Sequence, residues 1–263
     1  NQNYSFDFTH ISLPLMVEGK VTKIPIRALL IDKSNRNFDL LNHKFGTLRI
    51  TKKSKEWIAQ IAVTIPTVLG IGTKIMGVDL GLKVPAVAAT DDEKVHFFGN
   101  GRQNKYMKRK FRSERKALGK KKKVNAIRNL NNKEQRWMTN QDHKVSREIV
   151  NFAKDNNISV IRLERLANIR QTARTSRKNE KNLHTWSFYR LAQFIEYKAN
   201  LAGICVEYVN PAYTSQTCPN CSQKNKAKDR KYTCSCGFEK HRDLVGAMNI
   251  RYAPVVDGNS QSA

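Results

Sequence analysis

The chain has 263 residues and carries 48 Lys and Arg against 22 Asp and Glu, a formal charge of +26. That excess repels itself in a compact state and attracts polyanions, while a hydrophobic share of 40% excludes a wholly disordered basic tail. No run approaches the roughly 20 apolar residues that cross a bilayer and no basic-then-apolar leader opens the chain, so the expectation is a soluble cytoplasmic protein with no membrane partner, held on the nucleoid when DNA is bound.

In chain order, residues 4–66 predict short β-strands. Thr22–Leu30 and Gly46–Ile50 alternate apolar and polar residues between polar turns, and Trp57–Ile65 follows Lys52-Lys53-Ser54-Lys55, a hairpin turn. Strands with one apolar face must pack or close, so a small barrel or curled sheet is expected. Gly70-Ile71-Gly72-Thr73 reads as a linker. A meander follows: Lys74–Lys83, then Val84–Ala89, the turn Asp91-Asp92-Glu93, and Val95–Phe98. From Gln103 to Asn151 the composition shifts to helix formers, with about 17 basic residues against about 3 acidic ones between Arg102 and Arg147. Ser146–Asn156 predicts an amphipathic helix through Ile149, Val150 and Ala153. Ile158–Glu164 is a strand ending at an acid. A polar, Arg-rich loop (Asn168–Asn182) leads to a helix over Trp186–Leu201, whose Leu191, Phe194, Ile195 and Ala199 form a stripe and which Gly203 ends. Ile204–Val209 is the next strand, a helix opens near Asp243, and the polar tail from Asp257 is expected to be loose.

Cys218-Pro-Asn-Cys221 and Cys234-Ser-Cys236 lie about a dozen residues apart, a spacing that presents four thiolates to a tetrahedral Zn²⁺. In a reducing compartment such pairs read as ligands rather than disulfides. The second pair has one intervening residue where two are usual, and Gly237 supplies the permissive backbone of a knuckle. Four thiolates leave no open position, so this zinc is structural; the alternative is four ordinary cysteines. Cys205 is expected to be a small buried hydrophobe. Lys224, Lys226, Lys228, Arg230 and Lys231, on the ribbon loop, are expected to face nucleic acid.

Two acids stand in apolar strand-like runs and a third follows His241-Arg242 at a helix start. Asp79 lies between Gly77 and Gly81 in a strand, where an unpaired buried carboxylate costs several kcal/mol. Glu164 ends a strand and Asp243 opens a helix. Singly they read as an edge-strand acid, a partner of Arg162 or Arg165, and a helix N-cap. Together, strand acid, strand-end acid and helix-start acid match an RNase H-like core, in which three carboxylates gather two Mg²⁺ that activate water and stabilise the leaving oxygen of a phosphodiester.

Ile75-Met76-Gly77-Val78-Asp79-Leu80-Gly81, Leu163-Glu164-Arg165-Leu166, Asn210-Pro211-Ala212-Tyr213-Thr214-Ser215-Gln216-Thr217-Cys218-Pro219-Asn220-Cys221 and Cys236-Gly237 through His241-Arg242-Asp243 to Ala247-Met248-Asn249-Ile250 resemble the motifs of the TnpB family. These OrfB-type insertion-sequence proteins, long called transposases, are RNA-guided DNA nucleases related to the type V CRISPR effectors. The resemblance implies that Asp79, Glu164 and Asp243 are RuvC-like catalytic carboxylates holding Mg²⁺, and that Cys218, Cys221, Cys234 and Cys236 are the zinc-ribbon ligands. It also implies that the N-terminal β part is a wedge barrel and that guide RNA and target DNA are the partners. Arg242 precedes the third acid as an arginine often does in the family. The chain departs from the pattern at Val245, where many relatives carry Asn. The family's recognition helices and the first part of its barrel are expected ahead of residue 1, so the chain reads as a member lacking that lobe.

The expected fold is therefore α/β plus β: an RNase H-like (RuvC) mixed sheet with helices and an inserted zinc ribbon, preceded by a partial β-barrel. The expected divisions are 1–70 for the barrel, 71–213 for the nuclease core with a basic helical insert at about 103–145, 214–240 for the ribbon, 241–254 for the last core segment and 255–263 for the tail. Lys108, Arg109, Arg112, Arg115, Lys121 and Lys122 on the insert, with Arg242, are the expected contacts to RNA or DNA backbone, salt-sensitive and blind to sequence. Tyr106, Phe111 and Trp137, interleaved among them, could pack or stack on bases. Tyr213 has no paired histidines in motif spacing, so a tyrosine strand-transfer reaction is not expected. Two functions stay open at this point: an RNA-guided, Mg²⁺-dependent DNA endonuclease of a mobile element, or a truncated nucleic-acid-binding protein that accompanies the element without cutting.

Overall fold

A computed structural model describes residues 3–29, 43–53, 56–66, 73–166 and 188–256. Most of the expected linker at 70–73, the loop at 168–182, Trp186 and the tail from 257 lie outside the described residues. The chain divides into two compact units, Asn1–Pro66 and Thr67–Ala263.

The first unit is antiparallel β structure. β1 (Ser5–Phe6), β2 (His10–Val17) and β3 (Lys20–Arg27) form a three-stranded sheet. The turn between β2 and β3 is Glu18-Gly19, with φ of 49° and 77°, the double-positive geometry whose twist matches that of paired strands. β4 (Lys44–Lys53) pairs with β5 (Glu56–Thr64) across a bulge between Phe45 and Leu48. Phe6, Phe8 and Phe45 cluster with ring centroids 5.0–6.4 Å apart, and the Tyr4 hydroxyl donates to the Gly46 carbonyl at 2.6 Å. Among the described residues the ladders form a sheet and a separate hairpin, with no ladder joining them into a barrel.

The second unit is built on a five-stranded mixed sheet in the order β10-β9-β6-β7-β8, formed by β6 (Lys74–Leu80), β7 (Ala86–Thr90), β8 (Val95–Phe98), β9 (Ile158–Glu164) and β10 (Cys205–Val209). β6–β9 and β9–β10 are parallel, while β6–β7 and β7–β8 are antiparallel hairpins. Alternation along β6 sends Met76, Val78 and Leu80 to one face, where they meet α2 (Val124–Asp155) and α3 (Phe188–Leu201) through Val145, Ile149, Ala153, Leu191, Ile195 and Ala199. Burying each large aliphatic side chain in this cluster contributes about 1.5–3 kcal/mol. The same alternation sends Gly77 and Asp79 to the opposite face, under α4 (Arg242–Tyr252). A Cβ on Gly77 would collide with the Ala247 carbonyl. Glycine there is what lets the helix backbone lie directly on the strand.

Gly99 at φ 71° and the Asn100 cap, which accepts from Gln103 N at 3.1 Å, launch α1 (Gly101–Lys120). α1 and α2 form an antiparallel helical hairpin turned by Lys121–Lys123. The ribbon carries β11 (Lys231–Thr233) and β12 (Glu239–His241), which are antiparallel. Its core joins Cys218, Tyr232 and Cys234 to Val245 of α4, so Val245 is the apolar seam between ribbon and helix. No described helix is long and apolar enough to cross a membrane.

One sequence expectation and two of the alternative single-residue readings are corrected. Asp79 is not an edge-strand acid, because β6 is the middle of five strands. Asp243 is not the N-cap of its helix. That position is His241, whose Nδ1 accepts from Asp243 N at 3.3 Å. Cys205 is exposed rather than buried, since β10 is an edge strand and its first residue lies at the sheet's corner.

Candidate active site and zinc ribbon

Parallel pairing of β6 with β9 aligns Val78 with Leu163, so Asp79 and Glu164 follow side by side at the C-terminal ends of two parallel strands. Open α/β sheets place their ligand crevices there. α4 crosses this end of the sheet: a Cβ on Gly246 would stand 2.8 Å from Asp79 Oδ2. Asp243, one turn earlier on the same helix, is only 4% exposed and enjoys the favourable end of the helix dipole. The three carboxylates line one cleft of about 400 Å³ together with Arg230, Arg242 and Thr214.

The electrostatics of this cleft are unequal. Asp79 opens partly to the cleft, yet burial raises its pKa well above the usual carboxylate value, with Glu164 and Asp243 adding to the rise and Arg242 and Arg230 opposing it. Burial likewise raises Glu164, against the lowering effect of the Thr214 hydroxyl. Asp243 is the ion-paired member. Arg230 Nη1 donates to both carboxylate oxygens, at 2.6 Å to Oδ1, and Arg242 Nε lies 3.6 Å from Oδ1. The arrangement is three hard oxygen donors with two guanidinium groups at one end.

Thr214, Arg230 and Asn249 take roles at the site that the sequence reading did not assign to them. Thr214 Oγ1 donates to Glu164 Oε1, and Asn249 Nδ2 holds the backbone carbonyls of Thr214 and Thr217, each at 2.7 Å. Arg162, considered a partner for Glu164, pairs instead with Glu207 at 2.8 Å. Arg230, expected to face nucleic acid from the ribbon loop, turns inward to Asp243. These partners lie 13 to 50 residues apart in sequence, so no local pattern could reveal which pairs with which. Thr214→Val keeps the side-chain volume and removes the donor. A hydrogen bond to a charged group is worth about 1.5–3 kcal/mol, so any reaction that uses the Glu164 carboxylate should slow at least about tenfold; a rate within twofold of the parent would remove Thr214 from the site.

In the ribbon, the four cysteine sulfurs all lie within 4.8 Å of one another, with Cys218–Cys236 at 3.7 Å and Cys221–Cys234 at 3.4 Å. Four thiolates at about 2.3 Å from a tetrahedral Zn²⁺ stand about 3.8 Å apart, so the set fits that ion. The Cys236 N–H holds Cys234 down at about 6, and the Phe238 N–H lowers Cys236. Gly237, at φ 84°, closes the second knuckle through Gly237 N to Cys234 O at 3.0 Å.

On the helical insert, Arg109, Arg112, Lys121 and Lys122 are exposed. Arg115 is ion-paired with Glu134 of α2, and Lys108 is half-buried, with burial the largest influence lowering its pKa. Among the interleaved aromatics, Phe111 is buried and Tyr106 is exposed.

Residues 188–250, from α3 through the ribbon into α4, match the family model described as Cas12f1-like, TNB domain. The chain is 30% identical over 195 residues to the CRISPR-associated endodeoxyribonuclease Cas12f1 of Sulfoacidibacillus thermotolerans, across 67% of this chain and 45% of that protein. It is 36% identical over 121 residues to the TnpB-like protein MJ0751 of Methanocaldococcus jannaschii, across 45% of this chain and 43% of that one. The chain is related to the TnpB family and the type V effectors. This TnpB-related chain spans less than half the length of these curated relatives. Its fold is that of the solved Cas12f proteins. The Cas12f1-sgRNA-target DNA complex matches with a TM-score of 0.59 at 23% identity, over 78% of this chain and 55% of that one. A CRISPR-Cas12f ternary complex matches with 0.61 at 21% identity, over 80% and 46%.

Proposed function

We propose that this TnpB-related chain carries the nuclease core of an RNA-guided, Mg²⁺-dependent DNA endonuclease of a transposable element, with guide RNA and target DNA as its partners. The observation that carries the reading is the meeting of Asp79, Glu164 and Asp243, from two parallel strands and a helix start, in one cleft. The raised pKa of Asp79 and Glu164 supports it. Carboxylates crowded into one site are poorly compensated by protein alone, and hard divalent cations are the partners that such oxygens select. Asp79, Glu164 and Asp243 are the residues that would hold Mg²⁺, which would supply activation of water and neutralisation of charge at the leaving group. Thr214 fixes the Glu164 carboxylate for that role, while Asp243 is set by the helix start. Arg230 and Arg242 line the same cleft, and their guanidinium donors would stabilise charge on the oxygens of a phosphate bound there. The ribbon cysteines hold a structural Zn²⁺, and the first unit grips RNA and the neighbouring duplex as a wedge.

Arg109 and Arg112 track nucleic-acid backbone on this reading. Replacing either with Gln should lower the slope of log affinity against log salt by about one, whereas Arg115→Gln, which breaks a pair with Glu134, should lower thermal stability instead. Equal slopes for the parent and both exposed variants would remove the insert from the interface.

One observation favours a second reading, binding without cleavage: Arg230 occupies both Asp243 oxygens, the lone pairs that a metal would take. The deciding experiment is cleavage of target DNA by the purified protein with its co-purifying RNA, in Mg²⁺ and in Ca²⁺, beside Asp79→Ala. Mg²⁺-dependent cutting that the variant loses establishes the nuclease. RNA binding without cutting establishes the second reading.

A further inference from the structure

Tyr213 is placed by the fold without being used by it. Its φ is 64°, a conformation that bulky L-residues rarely adopt and that costs on the order of 1–3 kcal/mol. The surroundings impose it: Gln216 N, Thr217 N and Thr217 Oγ1 converge on the Tyr213 carbonyl at 2.9, 3.0 and 3.1 Å. The backbone is therefore held by the turn, while the ring belongs to no core cluster, is 51% exposed and has no aromatic neighbour among the described residues. Lys224, on the segment that bridges to Thr217, sets its ammonium 3.7 Å from the ring centroid. The next residue is Thr214, which holds Glu164, and Pro211, Thr214 and Ser215 all line the acid cleft.

A half-exposed aromatic ring with a lysine over one face, one residue from the cleft wall, has the two elements that bind a nucleotide of a single strand. The base stacks on the ring and the backbone phosphate meets the cation. We propose that Tyr213 and Lys224 form a stacking platform for one unpaired base of the strand led into the acid cleft. Resting on the nuclease reading above, the platform is a binding subsite independent of the metal chemistry. It reads no sequence, since every base offers a π-face. The requirement for an unpaired base makes the cleft selective for single-stranded over duplex substrate at that position.

Tyr213→Gly tests the ring apart from the backbone, because glycine adopts φ 64° freely. The probe is a short fluorescein-labelled oligo(dT), bound without Mg²⁺ at fixed salt, together with a set of the same oligonucleotides carrying one abasic position each. The expected result is a melting temperature equal to or above the parent's, unchanged zinc content, and about tenfold weaker oligo(dT) binding, the worth of one stacked base. One abasic position should weaken the parent by that factor and leave Tyr213→Gly unaffected. Tyr213→Trp should retain affinity and gain emission that the oligonucleotide quenches. Binding of Tyr213→Gly within twofold of the parent, or an abasic penalty shared by both proteins, overturns the platform even where cleavage is normal. Absence of Mg²⁺-dependent cleavage in the parent would instead sink the nuclease reading and leave the stacking result standing.

Discussion

Asp79→Asn should abolish cleavage, with a loss of at least about a thousandfold, and at the same time make the metal-free protein more stable. The loss follows from taking one carboxylate out of a three-acid metal site, where stabilisation of charge in the transition state is usually the largest catalytic contribution. The gain follows from the same crowding. Burial and two neighbouring acids raise the folded-state pKa of Asp79 well above the ordinary 3.8. As pH rises through about 4, the unfolded chain releases its proton before the folded one does, so the unfolded state is the one favoured. Stability from this group is therefore complete below pH 4 and fades as pH climbs toward the raised folded value. Glu164 contributes in the same direction. Melting temperatures of parent and Asp79→Asn should thus coincide near pH 4 and separate toward neutral pH, the variant melting higher by a few degrees, at about 2–4 °C per kcal/mol for a chain of this size. Added Mg²⁺ should raise the parent alone. A variant that melts below the parent across this range would show that Asp79 is a structural acid.

Cys234→Ser should cost more than its zinc. Cys234 belongs to the cluster that joins Tyr232 to Val245 of α4, and the same ribbon supplies Arg230 to Asp243 and, through Gln216, the carbonyl that accepts from Tyr232 Oη at 3.0 Å. Losing one of four thiolates should release the metal, and structural zinc is worth on the order of 10 kcal/mol to a small ribbon, far above anything that such a two-stranded unit holds unaided. Zinc content should fall from one to near zero per chain. Cleavage should fall with it, although the mutated residue lies outside the acid cleft, because Arg230 and the α4 start that carries Asp243 are held in place by the ribbon. Full zinc content in Cys234→Ser would contradict the ligand assignment. Lost zinc with normal cleavage would show that the ribbon and the acids are independent.

Val245 couples the ribbon to α4. At zero exposure between Cys218, Tyr232 and Cys234, an apolar residue closes the ribbon onto the helix, and an amide there would need partners that this packing lacks. Asn249, one turn on, makes the polar contact, donating to the Thr214 and Thr217 carbonyls.

What the sequence by itself determined is what depends on near neighbours. The apolar alternation of Lys74–Leu80, the helical stripe Leu191–Ala199, the paired cysteines and the density of positive charge over α1 and α2 each follow from periodicity or spacing within a few residues, and each was legible. Asp79 and Glu164 stood out as charged residues in apolar strands, where they are costly unless used, and Asp243 only through the order of the three acids and the motif resemblance. Only the tertiary structure decided who meets whom. That β6 lies at the centre of the sheet and Cys205 at its edge depends on strand order, which no single strand encodes. That Thr214 serves Glu164, that Arg230 leaves the solvent for Asp243, and that Tyr213 is forced into a left-handed turn beside the cleft depend on contacts closed over loops and on hydrogen bonds from distant residues. Such pairings are chosen by the packing of α4 across Gly77 and by closure of the ribbon onto Val245, whose energies belong to the assembled core and to no local segment.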